Sequence, residues 1–229
     1  MSSRISTFRN AISHIRQPLA AADALRVAVV GGGSNEPELE ELAKLNRIEI
    51  YFFGIEEIIN ENWSLLDLNR QTSLRYGEFD IVLCSQVLEH IWHVPNAFIN
   101  FYKLLRDGGY LWVACPFSNY YHGSPDFYSA GFSPNFIDVN AENVGLQKIT
   151  SGFNGARRDY LARHLLNVWI TEKQMEHPLI SYYGIPGTIL NKFFYNLRII
   201  PYKFVLLFSS KKDLGDIFSA TESYGLYRK

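Results

Sequence analysis

The stretch RVAVVGGGSNEPELEEL, Arg26 to Leu42, decides the fold. From Val27 to Val30 it is apolar without interruption, as in a strand covered on both faces, and it then runs into three glycines. Pro37 opens the segment that follows, and its fixed φ suits the first turn of a helix. Strand, glycine turn and helix in that order form the first unit of a parallel α/β sheet. A helix start behind such a loop offers unpaired N–H groups and a partial positive charge, and it usually faces an anion. Here Glu36, Glu38, Glu40 and Glu41 follow at once, so the expected ligand is not a pyrophosphate. The same glutamates also complement the helix dipole, and both readings can hold together.

Working outward, the alternation continues. A strand is expected at Arg26 to Val30, a helix at Pro37 to Leu45, and a second strand in IEIYFFGIE, ending at Glu56. Trp63 to Asp67 reads as a short strand, and FDIVLCSQ, Phe79 to Gln86, as one buried on both faces. PNAFINFYKLL has a helical stripe of Phe98, Phe101, Tyr102 and Leu105; RDGG stops it, and YLWVACP is the next strand. Beyond a loop rich in turn residues and aromatics, Pro134 to Gly145 reads as a helix and Leu146 to Phe153 as a strand. Strands alternating with helices, joined by right-handed crossovers, imply an α/β fold with a mostly parallel sheet.

The chain is expected to form one domain in three parts. Residues 1–25 form a leading helix that caps the domain, with Ile5, Phe8, Ile12 and Ile15 on one face. Its Arg4, Arg9, Arg16 and serines also match the composition of organellar transit peptides. Residues 26–155 form the ligand-binding core, and residues 156–229 a substrate lid with the closing strands. A net charge of -1 supplies no field to recruit nucleic acid, so no such partner is expected. Cys84 and Cys115 sit in apolar runs without CxxC or Cys/His spacing, which points to buried free thiols, no metal site and a reducing, cytoplasmic setting. No run reaches the ~20 apolar residues that would span a bilayer.

The dinucleotide fingerprint G-x-G-x-x-G needs a third glycine where Glu36 stands. A carboxylate beside a pyrophosphate is repulsive, which places a nicotinamide or flavin enzyme third among the readings. S-adenosylmethionine fits better: it has no phosphate, an α-ammonium group, a sulfonium and two ribose hydroxyls.

VAVVGGGSN, FFGIE, LLDLN, FDIVLCSQVLEHI and LRDGGYLWVACP stand in the order of the motifs of class I S-adenosylmethionine-dependent methyltransferases, and the chain resembles the type 11 branch of that family from about Arg26 to Phe153. HGSPDFYSAGFSPNFI is similar to a loop of methyltransferases from bacterial sugar and polysaccharide clusters. The resemblance implies a Rossmann-like, mostly parallel seven-stranded sheet with helices on both faces. It implies that Gly31 and Gly33 let the backbone approach the methionine moiety and that Glu56 accepts from the ribose hydroxyls. It further implies that Asp67 accepts from the adenine amino group beside Leu68, and that Ser85 and Gln86 lie beneath the methionine portion. His90, in LEHI, is a cofactor-lining or structural residue in that pattern. The family's first-strand acid is replaced by Val29 and its last motif glycine by Asn35, which tolerates a left-handed conformation. Those departures suit a second reading, a binding or scaffold protein that keeps the fold.

Methyl transfer to a hydroxyl needs a base on the acceptor side. His122, in the loop after the fifth strand, is the candidate, with Asp126 to orient it; the alternative is a histidine packed among tyrosines. Tyr120, Tyr121, Phe127 and Tyr128 either stack on a sugar face or belong to the core. Ile189 to Phe208 reads as a packed lid rather than an interfacial membrane segment, because Pro201 interrupts any long amphipathic helix. The expected activity is O-methylation of a sugar, polysaccharide precursor or related small metabolite.

Overall fold

The computed structural model describes residues 3–55, 62–72, 77–119, 125–155 and 222–229. Glu56, His122 and the segment Ile189 to Phe208 lie outside the described residues. Two helices lead, α1 (Ser3–Ser13) and α2 (Arg16–Ala20), followed by β1 (Leu25–Val30), α3 (Pro37–Ala43), β2 (Ile48–Gly54) and β3 (Trp63–Leu65). Then come β4 (Phe79–Ser85), a 3-10 turn at Leu88–His90, α4 (Val94–Leu104), β5 (Leu105–Pro116), α5 (Pro134–Asn143), β6 (Gln147–Asn154) and β7 (Glu222–Arg228). The strands form one seven-stranded sheet in the order β3-β2-β1-β4-β5-β7-β6. It is parallel except for β7, which runs antiparallel to both β5 and β6.

The continuous apolar strands are buried because helices cover both faces. All seven residues of β4 are buried, with Ile81 and Leu83 packing on one face and Val82 and Cys84 on the other. The first face is closed by α1, α2 and α3 through Phe8, Ile12, Ile15, Leu19, Leu39 and Leu42. The second is closed by α4 and α5, where Phe98, Phe101 and Ile137 are fully buried. Phe8 meets Trp112 of β5 edge to face at 5.0 Å between ring centroids. Burying a side chain of the Phe8, Ile12 or Ile15 kind contributes about 1.5–3 kcal/mol, which is why α1 docks on the sheet.

Several boundaries differ from expectation: α3 ends at Ala43 and β2 at Gly54. RDGG does not separate α4 from β5, since β5 begins at Leu105 itself. Phe79 pairs with Leu105 but Ile81 with Tyr110, so Arg106 to Gly109 bulge out of the ladder. The Arg106 Nε donates to Asp80 at 2.7 Å, and Gly108, at φ +76°, makes the turn. The short third strand stops at Leu65, before Asp67.

Cys84 and Cys115 are free and buried, and burial pushes both thiols well above their ordinary range. Among the described residues, no helix is long and apolar enough to cross a membrane.

Candidate active site

The strand order places the switch point between β1 and β4: from β1 the chain moves to β2 and β3 on one side, and later to β4 and β5 on the other. In open α/β sheets the ligand crevice lies outside the carboxyl ends of the strands at such a point. The segments that follow β1 and β4, GGGSN and QVLEH, therefore face each other across it. Gly31 has φ +73°, and a Cβ there would fall 2.7 Å from a methyl of Val87, so only glycine fits between the two segments. A Cβ on Gly32 would meet the Glu36 carboxylate at 2.7 Å. Gly33 has open space apart from the Asn35 side chain, leaving its backbone accessible to a ligand.

The acidic start of α3 serves a different purpose from the one its charge suggests. Arg4 of α1 donates from Nε to Glu38 at 2.7 Å and from one terminal nitrogen to Glu38 at 2.8 Å, and it also bonds Glu36. Glu38 is 1% exposed, and the Ser85 hydroxyl donates to it at 3.2 Å. Arg9 grips Glu41 in the same way at 2.8 and 2.9 Å, joined by Lys44. Those hydrogen bonds hold the Glu41 carboxyl down at about 2. Glu36, Glu38 and Glu41 thus tie α1 to α3 just behind the glycine loop, and Arg4 and Arg9 are parts of the fold. Glu36 still occupies the space over Gly32 that a dinucleotide site would keep bare.

Ser85 is buried at the end of β4 and its side chain is turned towards α3, so it meets the loop through Glu38. Gln86 follows with φ +57°, the one positive φ among the described non-glycine residues. The left-handed conformation that Asn35 can adopt is not used; the chain places it at Gly31 and Gln86 instead. Strain of this kind in a non-glycine residue costs about 1–3 kcal/mol and concentrates at functional sites. Asp67 follows β3 with its side chain 42% exposed, accepting the Asn69 amide at 2.9 Å, and Leu68 beside it is buried.

On the other side of the crevice, the 3-10 turn anchors the loop after β5. The Tyr128 and Ser129 amides both donate to the Glu89 carbonyl, at 2.9 and 3.2 Å. His90 bonds the Asp126 carbonyl through Nδ1, which places the proton on that nitrogen. The Phe127 ring lies edge-on to His90 at 6.1 Å. Asp126 therefore meets His90 through its backbone, while its exposed carboxylate lies 3.4 Å from the Tyr128 hydroxyl. Tyr128 and Trp92 are both exposed. His93 is not at the crevice chemistry; it precedes α4, its amide held by Asn69.

Glu222, the first residue of β7, is a member of this region that sequence reasoning missed. It pairs with Pro116 and Asn154 at the carboxyl ends of β5 and β6, and its carboxylate accepts from Gln86 at 3.4 Å and from Asn154 at 2.7 Å. Lying 136 positions from Gln86, it carries no local signal that could have found it. A cavity of about 750 Å³ lies elsewhere, along α4 towards the amino ends of the strands, lined by Tyr102, Lys103, Asn143 and Lys229.

The glycine turn and the crevice at the switch point stand where an open α/β sheet of this kind takes its ligand. The chain belongs to the methyltransferase domain family, whose model it matches over residues 9–178. It has the fold of a SAM-dependent methyltransferase from Archaeoglobus fulgidus, with a TM-score of 0.54 at 14% identity over 98% of this chain and 94% of that one. A candidate sarcosine dimethylglycine methyltransferase from Galdieria sulphuraria gives 0.54 at 13% identity over 97% and 84%. The [4+2]-cyclase SpnF gives 0.53 at 12% identity over 94% and 80%. No curated protein matches the chain. Its class is thus a class I methyltransferase fold with S-adenosylmethionine as cofactor.

Proposed function

We propose that this enzyme O-methylates a sugar, a polysaccharide precursor or a related small hydroxyl metabolite. The observation that carries the reading is the aromatic segment Asp126 to Tyr128, pinned beside the end of β4 by the Glu89 carbonyl and His90. Bound S-adenosylmethionine supplies an electrophilic methyl group on a sulfonium. The chain has to hold that donor, align an acceptor in line with it and take up the acceptor's proton; alignment alone can be worth roughly 7–11 kcal/mol.

In this reading the backbone of Gly31 and Gly33 receives the methionine end, with Ser85 and Gln86 beneath it and His90 lining the cofactor. Glu56 accepts from the ribose hydroxyls, and Asp67 from the adenine amino group over Leu68. His122 is the base, Asp126 orients it, and the Phe127 and Tyr128 rings offer apolar faces on which a sugar can stack. The test is a methyl-transfer assay with nucleotide sugars and small polyols, read by mass. Replacing His122 with Ala should slow transfer by roughly 10²–10⁴-fold while S-adenosylhomocysteine binding is retained. Binding of the cofactor by the wild type without turnover on any hydroxyl acceptor would overturn O-methylation and favour the fold as a binding module.

A further inference from the structure

Six carboxylates are buried among the described residues, and four of them have an arginine or lysine beside them. Glu38 has Arg4, Glu41 has Arg9 and Lys44, Asp80 has Arg106, Asp138 has Lys148, and Glu89 lies 4.0 Å from the His90 ring. Among the described residues Glu222 has neither a cation nor a ring nitrogen beside it. It is 8% exposed, and the partners that the described residues give it are two neutral amides, Asn154 at 2.7 Å and Gln86 at 3.4 Å. A buried charge without a countercharge is costly, and the arrangement around it is built rather than incidental. The Thr7 hydroxyl of α1 donates to the Asn154 side-chain carbonyl at 3.0 Å, which aims the Asn154 amide at Glu222. Gln86, whose amide reaches the other carboxylate oxygen, is the residue held at φ +57° at the end of β4.

We propose that Glu222 supplies the countercharge for the sulfonium of the methyl donor, acting across Gln86, so that the site prefers the cationic donor to its neutral demethylated product. The proposal rests on the cofactor reading of the crevice and adds to it a discriminating residue from a distant part of the chain. Donor and product share their adenosine, ammonium and carboxylate and differ in the methyl group and the charge on sulfur. A buried carboxylate at the crevice is therefore felt by one and not the other. At an effective dielectric of about 20, opposite unit charges about 12 Å apart attract by enough to change an affinity roughly tenfold.

The experiment compares S-adenosylmethionine and S-adenosylhomocysteine binding by titration calorimetry on the full chain at physiological salt. Glu222→Gln, which removes the charge at nearly constant shape, should weaken S-adenosylmethionine by roughly tenfold and S-adenosylhomocysteine by less than about twofold. Glu222→Asp, which keeps the charge, should keep the wild-type ratio of the two affinities. Equal losses for both ligands in Glu222→Gln, or no loss for either, would overturn the proposal and leave Glu222 a packing residue. Should Glu222→Gln fail to fold, Asn154→Lys places an ammonium against the carboxylate from a residue outside the cofactor contacts proposed above. The same selective loss of S-adenosylmethionine is expected there, and an unchanged ratio overturns the proposal. Failure of the wild type to bind either ligand is a different result, since it removes the cofactor reading itself.

Discussion

Arg4 is the sharpest place to test how the glycine loop is held. Its guanidinium makes two bonds to Glu38 and a third to Glu36, and Glu38 is 1% exposed. Arg4→Ala leaves that carboxylate buried with the Ser85 hydroxyl, at 3.2 Å, as its remaining partner. Stranding one member of a buried pair costs about 3–5 kcal/mol. At roughly 2–4 °C per kcal/mol for a chain of this size, the melting temperature should fall by about 6–20 °C. The apolar face of α1 is untouched by the change, so the helix should stay docked and the loss should belong to the charge. Arg4→Ala combined with Glu38→Gln should then recover more than half of the deficit, because a neutral amide is far cheaper to bury than an unpaired carboxylate. The assay is thermal unfolding by circular dichroism of the four proteins of the cycle. A fall of under about 2 °C in Arg4→Ala, or strict additivity of the two changes, would refute the claim that a buried ion pair holds the loop.

Other outcomes follow from the same geometry. Gly31→Ala forces a Cβ to within 2.7 Å of Val87 at φ +73°, and should cost about 1–3 kcal/mol of stability together with S-adenosylmethionine binding measured by calorimetry. Glu41 titrates near 2 in the folded chain, below the unfolded value of 4.5, so its contribution is present above pH 4.5 and lost as pH falls towards 2. Denaturant titrations of the wild type and Arg9→Ala should therefore converge across that interval; a gap that stays constant would contradict the assignment. Cys84 and Cys115 should resist an aromatic disulfide reagent in the native state and react fully in denaturant, because burial raises both thiols.

The alternation of strands and helices along the chain and the glycine turn were legible in the sequence because each is a local matter. Val27 to Val30 and Phe79 to Ser85 are apolar on both faces, which suits only a covered strand, and Pro37 marks a helix start by its fixed φ. The residues that follow β1 and β4 could likewise be placed at the crevice by their position after a strand. The partners of the charges could not. Glu36 and Glu38 read as a local acidic field, yet Arg4, 32 and 34 positions away, meets them. The left-handed backbone at Gln86 is not a preference of glutamine and carries no local signal. Glu222 reaches the crevice only because β7 inserts antiparallel between β5 and β6, bringing a residue from the last eight of the chain to the carboxyl ends of strands formed long before it. Backbone propensity and hydrophobic pattern act over a few residues, so a sequence declares them. Which buried charge meets which partner is decided by how the strands are ordered in space, and that belongs to the tertiary structure.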